Sequence, residues 1–249
     1  MLIIIFTAVL IGWAYLFLKS SYFAIARVDV YGDNEVMKKT VLDSVNLMSS
    51  GKKWLLLPKN NIYIFPEKEA EEKIKQQLIL ENLTITKRYP NSLRVDFKAK
   101  KPALQLSSLK WLYVLDAVGE VIEKRPSDGT ASSTLGMAKD GMPVLEGGGN
   151  DLEISSYAIE GELVQFIIGV FNKLTEKTGV AIKFFSFVAD SPSSLKIKTE
   201  EGWDIILNTR ISADSQIEKL SALLKERDLT DRRNLNYIDL RFGDRIFYK

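Results

Sequence analysis

The chain has 249 residues, of which 46% are hydrophobic and 27% charged, and its formal net charge is +2. It contains no Cys and no His, which excludes thiol nucleophiles, disulfides, His general bases and nearly all zinc sites. A charge this close to neutral gives no electrostatic drive toward nucleic acid. We therefore expect no nucleic-acid partner. No phosphate-binding loop for a nucleotide occurs either, and we expect no cofactor.

An unbroken apolar run opens the chain, and no charge precedes Lys19. Because roughly 20 helical residues span a bilayer core about 30 Å thick, residues 1–20 are predicted to be a transmembrane anchor in a lipid bilayer. A cleavable signal peptide is the alternative, since residues 24–26 resemble a cleavage site. The run is longer than a signal core of about 7–15 residues, however, and no basic residue precedes it.

Residues 21–101 are predicted to form a small α+β domain. A weakly alternating strand, Phe23–Val30, precedes a helix and then a second helix that opens at Pro66. Two alternating strands follow, Leu83–Arg88 and Leu93–Lys100. The helical core positions are Met37, Val41, Val45 and Met48 in the first helix, and Ala70, Ile74 and Leu78 in the second. The order β-α-α-β-β predicts a three-stranded sheet covered by two helices, while the charged face of the second helix, with Glu69, Glu71 and Glu72, meets solvent.

Residues 102–249 are predicted to form a mixed β-sheet domain with helices on one face. A Gly-, Ser- and Thr-rich excursion spans Pro126–Asn150, and an amphipathic helix runs from Leu163 to a stop near Gly179. A hairpin turns at Gly202, and the closing segment Tyr237–Tyr248 is strand-like with a break at residues 243–244. Phe184, Phe185 and Phe187 are predicted core aromatics, and Ser215 with Glu218 is typical of a capping box that opens a helix.

Four short motifs occur in order behind the apolar run. They are residues 87–95 with Lys-Pro-Ala at 101–103, the aromatic strand and Asp-x-x-Gly turn of 111–121, Met-Pro-Val-Leu-Glu-Gly at 142–147, and Tyr-Ile-Asp-Leu-Arg-Phe at 237–242. Together they resemble the FtsQ/DivIB family of bacterial cell-division proteins. The resemblance implies an anchor at 1–20, a POTRA domain at 21–101 and a C-terminal β domain at 102–249. The sequence departs from the family at Ala99, where Glu is usual, and shows no cytoplasmic tail before the apolar run.

The resemblance implies a non-enzymatic, single-pass scaffold of the divisome in the cytoplasmic (inner) membrane at the division septum, with its body outside the cytoplasm. The implied partners are FtsB/FtsL or DivIC-like bitopic coiled-coil proteins and other divisome membrane proteins. Binding is expected by β-augmentation, in which a partner strand completes the edge of a sheet. The residues expected to bind are Arg241, Phe242, Arg245, Ile246, Phe247, Tyr248 and, next to that edge, Arg210.

Other interpretations remain open from the residues alone. The terminal apolar residues could simply complete a core, which is the commoner fate of such side chains. A POTRA component of polypeptide transport or outer-membrane assembly would be expected to carry several repeats or barrel strands. A membrane-anchored cell-wall hydrolase would need two carboxyl groups that face each other across a sugar-sized groove.

Overall fold

A computed structural model of the protein describes residues 2–50, 52–53, 57–127, 141–147, 151–189, 191–226, 232, 235–243 and 245–249. The chain divides into two compact units, Met1–Lys100 and Lys101–Lys249. Both units combine helices with β-sheet, which confirms the predicted α+β class. Most of the excursion predicted at Pro126–Asn150 lies outside the described residues, as does Asp244 in the predicted break.

Among its described residues, the first unit contains three α-helices, one short 3₁₀ helix and five strands. The elements are α1 (Leu2–Lys19), the 3₁₀ helix Ser21–Phe23, β1 (Arg27–Tyr31), α2 (Glu35–Ser49), β2 (Lys52–Lys53), β3 (Leu57–Pro58), α3 (Glu67–Gln77), β4 (Leu80–Arg88) and β5 (Ser92–Ala99). The short antiparallel ribbon of β2 and β3 was absent from the sequence prediction. Neither strand exceeds two residues, which is too short to show an alternating pattern.

The main sheet of this unit has the order β1-β5-β4, in which β1 runs parallel and β4 antiparallel to the central strand. The apolar positions predicted for α2 and α3 pack on it: Val41, Val45, Ala70 and Ile74 are fully buried, while Met37, Met48 and Leu78 are partly buried. Glu71 is not merely solvated as predicted, because its carboxylate accepts the backbone N–H of Ile85 on edge strand β4 at 2.7 Å.

Helix α1 carries exposed apolar side chains along its length. The Thr7 hydroxyl donates hydrogen bonds to the carbonyl oxygens of Ile3 and Ile4 in the same helix. By the combined criteria of length and mean hydropathy, no helix in the described part of the chain qualifies as a membrane span. The transmembrane anchor predicted for residues 1–20 is therefore not confirmed.

The described part of the second unit contains nine strands in one mixed sheet and two α-helices. The elements are β6 (Leu104–Ser107), β7 (Trp111–Leu115), β8 (Val121–Pro126), β9 (Val144–Glu146), α4 (Gly161–Thr178), β10 (Ile182–Val188), β11 (Ser191–Thr199), β12 (Asp204–Asn208), α5 (Ala213–Glu226), β13 (Tyr237–Phe242) and β14 (Arg245–Tyr248). The strand order is β14-β13-β12-β11-β10-β9-β6-β7-β8. Strands β9 and β10, β6 and β9, and β12 and β13 pair in parallel, and the other neighbours are antiparallel.

One hydrophobic cluster joins α4 and α5 to the sheet. Val164, Ile167, Val170 and Leu174 of α4 and Ile217 and Leu220 of α5 are buried in it with Phe185, Trp203, Ile205 and Ile238. The predicted capping box is wrong: α5 begins at Ala213, so Ser215 already lies inside the helix. The prediction for the three aromatic residues of β10 holds for Phe185, but Phe187 is 41% exposed.

The Asp-x-x-Gly motif forms the turn between β7 and β8. The Asp116 carboxylate accepts the backbone N–H groups of Val118 and Glu120 at 3.0 and 2.9 Å. Gly119 has a φ of 86°, and a Cβ there would lie 2.1 Å from the carbonyl oxygen of Ile159. This turn therefore requires both the acid and the glycine.

Candidate C-terminal edge site

Strand β14 is the outermost strand at one end of the nine-stranded sheet. It pairs antiparallel with β13 through the registers Ile238 with Tyr248 and Asp239 with Phe247. Along its other side, no strand of the described residues is paired with it. Six of the seven predicted binding residues lie on these two strands, so the fold brings them to one edge.

The backbone N–H and C=O groups of β14 point alternately toward β13 and away from it. Lys249 donates its N–H to Tyr237 and accepts from Asn236 and Tyr237, so its backbone faces β13. Since successive residues alternate, the backbone groups of Ile246 point to the outer side of the sheet. Its side chain packs against the core cluster. Ile246 thus fixes the strand to the body and presents an edge at the same time.

Two aromatic side chains form the exposed face of this edge. The rings of Phe242 and Phe247 meet edge to face, with 5.3 Å between centroids, and are 53% and 49% exposed. On the same strand as Phe247, Arg245 is exposed and Tyr248 is 38% exposed. From α5, Lys219 donates to the carbonyl of Gly243 at 2.6 Å, which ties the turn between the strands to the body. This bond attaches the turn between β13 and β14 to α5.

Arg241 is engaged inside the protein. Its guanidinium forms a two-pronged bond with the Asp239 carboxylate, at 2.7 and 2.9 Å, and donates to the hydroxyl of Ser194 at 3.2 Å. Asp239 is only 5% exposed, and the hydrogen bond to it raises the pKa of Arg241 above the ordinary value. This geometry assigns Arg241 to positioning β13, with its guanidinium also 5.4 Å from the Phe242 ring.

Arg210 lies in the turn after β12, at the end of the sheet where the parallel strand β13 also ends. It lines an open cleft of about 740 Å³ together with Phe187, Leu163 and Glu162. Sequence reasoning missed Phe187 because its alternation with Phe185 predicts a core position. A Cβ on Gly147 would lie 2.9 Å from the Phe187 ring, so the glycine of the Met-Pro-Val-Leu-Glu-Gly motif makes room for this aromatic. Gly147 was therefore the sequence feature that could have indicated the exposed position of Phe187.

Two carboxylates, Glu160 and Glu162, also line the cleft. They are two residues apart at the start of α4 and both are exposed, so they stand on one wall instead of facing each other across a groove. Glycoside hydrolysis needs the facing arrangement. Within the described residues, no group of three His, Cys, Asp or Glu side chains could hold a metal ion.

Comparison with known proteins identifies the class. The family model described as "Cell division protein FtsQ/DivIB, C-terminal" matches residues 107–241, more than half of the chain. The chain therefore belongs to the FtsQ/DivIB family. The match includes Arg210 and Arg241 but ends before Phe242 and β14.

Individual proteins are similar to parts of this chain. Cell division protein DivIB of Clostridium botulinum, from strain Hall and from strain Loch Maree, is 27% identical over 108 residues. Each alignment covers 43% of this chain and only 39% of the relative. The major extracytoplasmic domain of DivIB from Geobacillus stearothermophilus aligns over 52% of this chain and 95% of its own length, with 14% identity and a TM-score of 0.31.

Proposed function

We propose that this protein is a non-catalytic scaffold of the divisome that captures a partner by adding the partner's strand to β14. The observation that carries the proposal is the position of β14 at the end of the sheet, with Phe242 and Phe247 exposed beside it. Main-chain hydrogen bonds to the edge supply affinity, and the aromatic pair supplies selectivity. Aromatic side chains with part of their surface in contact and part exposed are typical binding hot spots.

The proposed partners are bitopic coiled-coil division proteins of the FtsB/FtsL or DivIC kind. In this proposal the first unit is a POTRA domain that contacts other membrane proteins of the division complex. Apart from the short ribbon of β2 and β3, its β-α-α-β-β order and its three-stranded main sheet support that part. Arg210, in the turn beside the end of β13, is proposed as a basic contact for a partner that extends past the edge.

The anchor belongs to the same proposal. Residues 1–20 span the cytoplasmic membrane, the body lies outside the cytoplasm, and the protein acts at the septum. Confinement to one bilayer raises the effective concentration of a partner anchored in that bilayer, so a weak edge contact suffices for capture. The charge-free sequence before Lys19 supports this assignment.

Site-specific photocrosslinking in cells tests the edge. A photoreactive phenylalanine analogue replaces Phe247 in the full chain, and the matched control carries it at Leu109, which is 98% exposed in the turn between β6 and β7 of the same unit. We expect position 247 to crosslink a small membrane protein with a coiled-coil sequence, and position 109 to give none. Equal crosslinking at both positions, or none at 247 in cells that divide normally, contradicts the proposal.

A further inference from the structure

A group of aromatic side chains surrounds the end of helix α1 in the first unit. The group, here named the aromatic base, consists of Phe17, Tyr22, Phe23, Tyr63 and Tyr89. Its rings contact one another in a continuous series with centroid distances of 4.5 to 5.8 Å. The three tyrosines nevertheless remain exposed, at 64% for Tyr22, 45% for Tyr63 and 60% for Tyr89. Contiguous exposed apolar surface often marks a site that binds a protein, a ligand or a membrane.

Backbone hydrogen bonds fix the base to the folded body. The N–H of Ile62 donates to the carbonyl of Phe23 at 2.9 Å, and that of Ile25 donates to Asn60 at 2.7 Å. The turn between β4 and β5 joins them, because the N–H of Ala26 donates to Asn91 at 2.8 Å. Three separate segments therefore converge where α1 ends.

Two features identify the occupant as a lipid surface. The base continues directly from α1, whose exposed side chains include Ile3, Phe6, Trp13 and Leu16. Tyrosine has an apolar ring and a polar tip, and for this reason it concentrates at the level of lipid headgroups. Lys19 lies 5.7 Å from the Tyr15 ring and Arg88 is exposed next to Tyr89, which suits a headgroup layer that contains anionic lipid.

We propose that the aromatic base binds within the headgroup layer of the membrane and thereby fixes the orientation of the first unit on the bilayer. The inference rests on the anchor of the proposed function, since α1 must enter the bilayer for the base to reach the headgroups. It goes beyond that function by assigning a lipid-binding surface to the folded body itself.

The absence of cysteine makes a depth measurement direct. Single substitutions Leu10→Cys, Asn60→Cys, Arg88→Cys and Val36→Cys introduce one environment-sensitive fluorophore each into the full chain, which is reconstituted in vesicles of phosphatidylcholine and phosphatidylglycerol. Asn60 and Arg88 are exposed neighbours of the base, whereas Val36, 78% exposed, lies beyond the far end of β1. Nitroxide quenchers are placed either in the lipid headgroup or deep in the acyl chain.

We expect the deep quencher to act at position 10 and the headgroup quencher to act several-fold more strongly at positions 60 and 88 than at position 36. Adding Tyr63→Ser and Tyr89→Ser together reduces quenching at position 60 to the level of position 36. The pair Tyr63→Trp and Tyr89→Trp retains it, because Trp also prefers the interface. Both tyrosines are exposed, so circular dichroism of the Ser variants is expected to match that of the parent.

The outcomes separate this inference from the anchor. Quenching at position 10 with no excess at 60 and 88 overturns the lipid assignment and leaves the anchor standing. No deep quenching at position 10 overturns both. If positions 60 and 88 are shielded in native membranes but remain water-exposed in lipid vesicles, the occupant is a protein and the lipid assignment is wrong.

Discussion

Phe242 and Phe247 contact each other edge to face from two successive strands, and each leaves about half of its surface exposed at the sheet edge. Such a pair contributes on the order of 1 kcal/mol to folding, because much of its area is never removed from water. The pair is expected to contribute more to binding, because a partner would bury the part of the two rings that is still exposed.

The first prediction follows from that pair. Phe247→Ala is expected to weaken partner capture by about tenfold or more, while the free energy of unfolding falls by only about 1 kcal/mol. Capture from detergent-solubilised membranes and urea unfolding measure the two effects. Leu109→Ala is the matched control and should leave both unchanged, since Leu109 is almost fully exposed. Undiminished capture by a folded Phe247→Ala protein would remove this residue from the site.

The outward N–H of Ile246 gives the second prediction. Ile246→Pro removes this donor without removing a hydrogen bond to β13, so it should abolish strand addition by a partner. Ile246→Ala loses more of the side chain that packs on the core but keeps the N–H, and it should retain most of the capture. If the two variants capture the partner equally, strand addition at this donor is not the mechanism.

The third prediction concerns the ion pair of Asp239 and Arg241. Asp239→Ala leaves a guanidinium without its carboxylate in a mostly buried site and should lower the free energy of unfolding by about 2–4 kcal/mol. Arg241→Lys keeps the charge but loses the two-pronged bond, so a smaller loss of about 1 kcal/mol is expected. Urea midpoints of the full chain in detergent provide the measurement. No loss in Arg241→Lys would show that the two-pronged geometry is unimportant, and a loss equal to that of Asp239→Ala would show that the charge alone contributes nothing.

Gly147 and Phe187 supply the fourth prediction. Gly147 has a φ of 148°, and a Cβ there would approach the Phe187 ring at 2.9 Å. Gly147→Ala should therefore destabilise the protein by about 1–3 kcal/mol through backbone strain and steric contact. Adding Phe187→Ala should recover the part of the lost unfolding free energy that is due to steric contact. The double variant is then less destabilised than the sum of the two single variants, as a double-mutant cycle measures. Strict additivity would mean that only the backbone matters.

The fifth prediction is a pH dependence at Asp151. The hydrogen bond from Lys124 holds the pKa of the Asp151 carboxyl below its ordinary value. Stabilisation from this group is present above the unfolded pKa of about 4 and is lost as the pH falls through the lower folded value. Asp151→Asn should thus reduce the difference between urea midpoints at pH 7 and pH 3. An unchanged difference would mean that the carboxylate contributes nothing to acid sensitivity.

Local patterns predicted much of the secondary structure. The apolar spacing of α2, α3 and α4 and the alternation in β4 and β5 depend on near neighbours in the chain, so they can be recognised without a fold. The hairpin turn at Gly202 and the strand break near Gly243 depend on single backbone conformations in the same way. The start of α5 was misplaced because Ser215 and Glu218 have the spacing of a capping box although both lie inside the helix.

The candidate site was predicted only as a set of residues near the end of the chain. The sequence shows their residue types, which include two phenylalanines and a tyrosine among arginines. The role of Arg241 could not be predicted from the sequence. Its guanidinium pairs with Asp239 and also donates to Ser194, which is 47 residues away from it in sequence.

The sequence by itself determined which segments are helical, which alternate as strands and which residue types are available for chemistry, because those properties arise from neighbours along the chain. Only the tertiary structure decided that β14 is an edge, that Phe187 stands over Gly147 in a cleft, and that tyrosines 26 residues apart meet beside α1. Strand order and ring contacts join distant segments, and their free energy depends on the packing of the whole unit rather than on any local pattern.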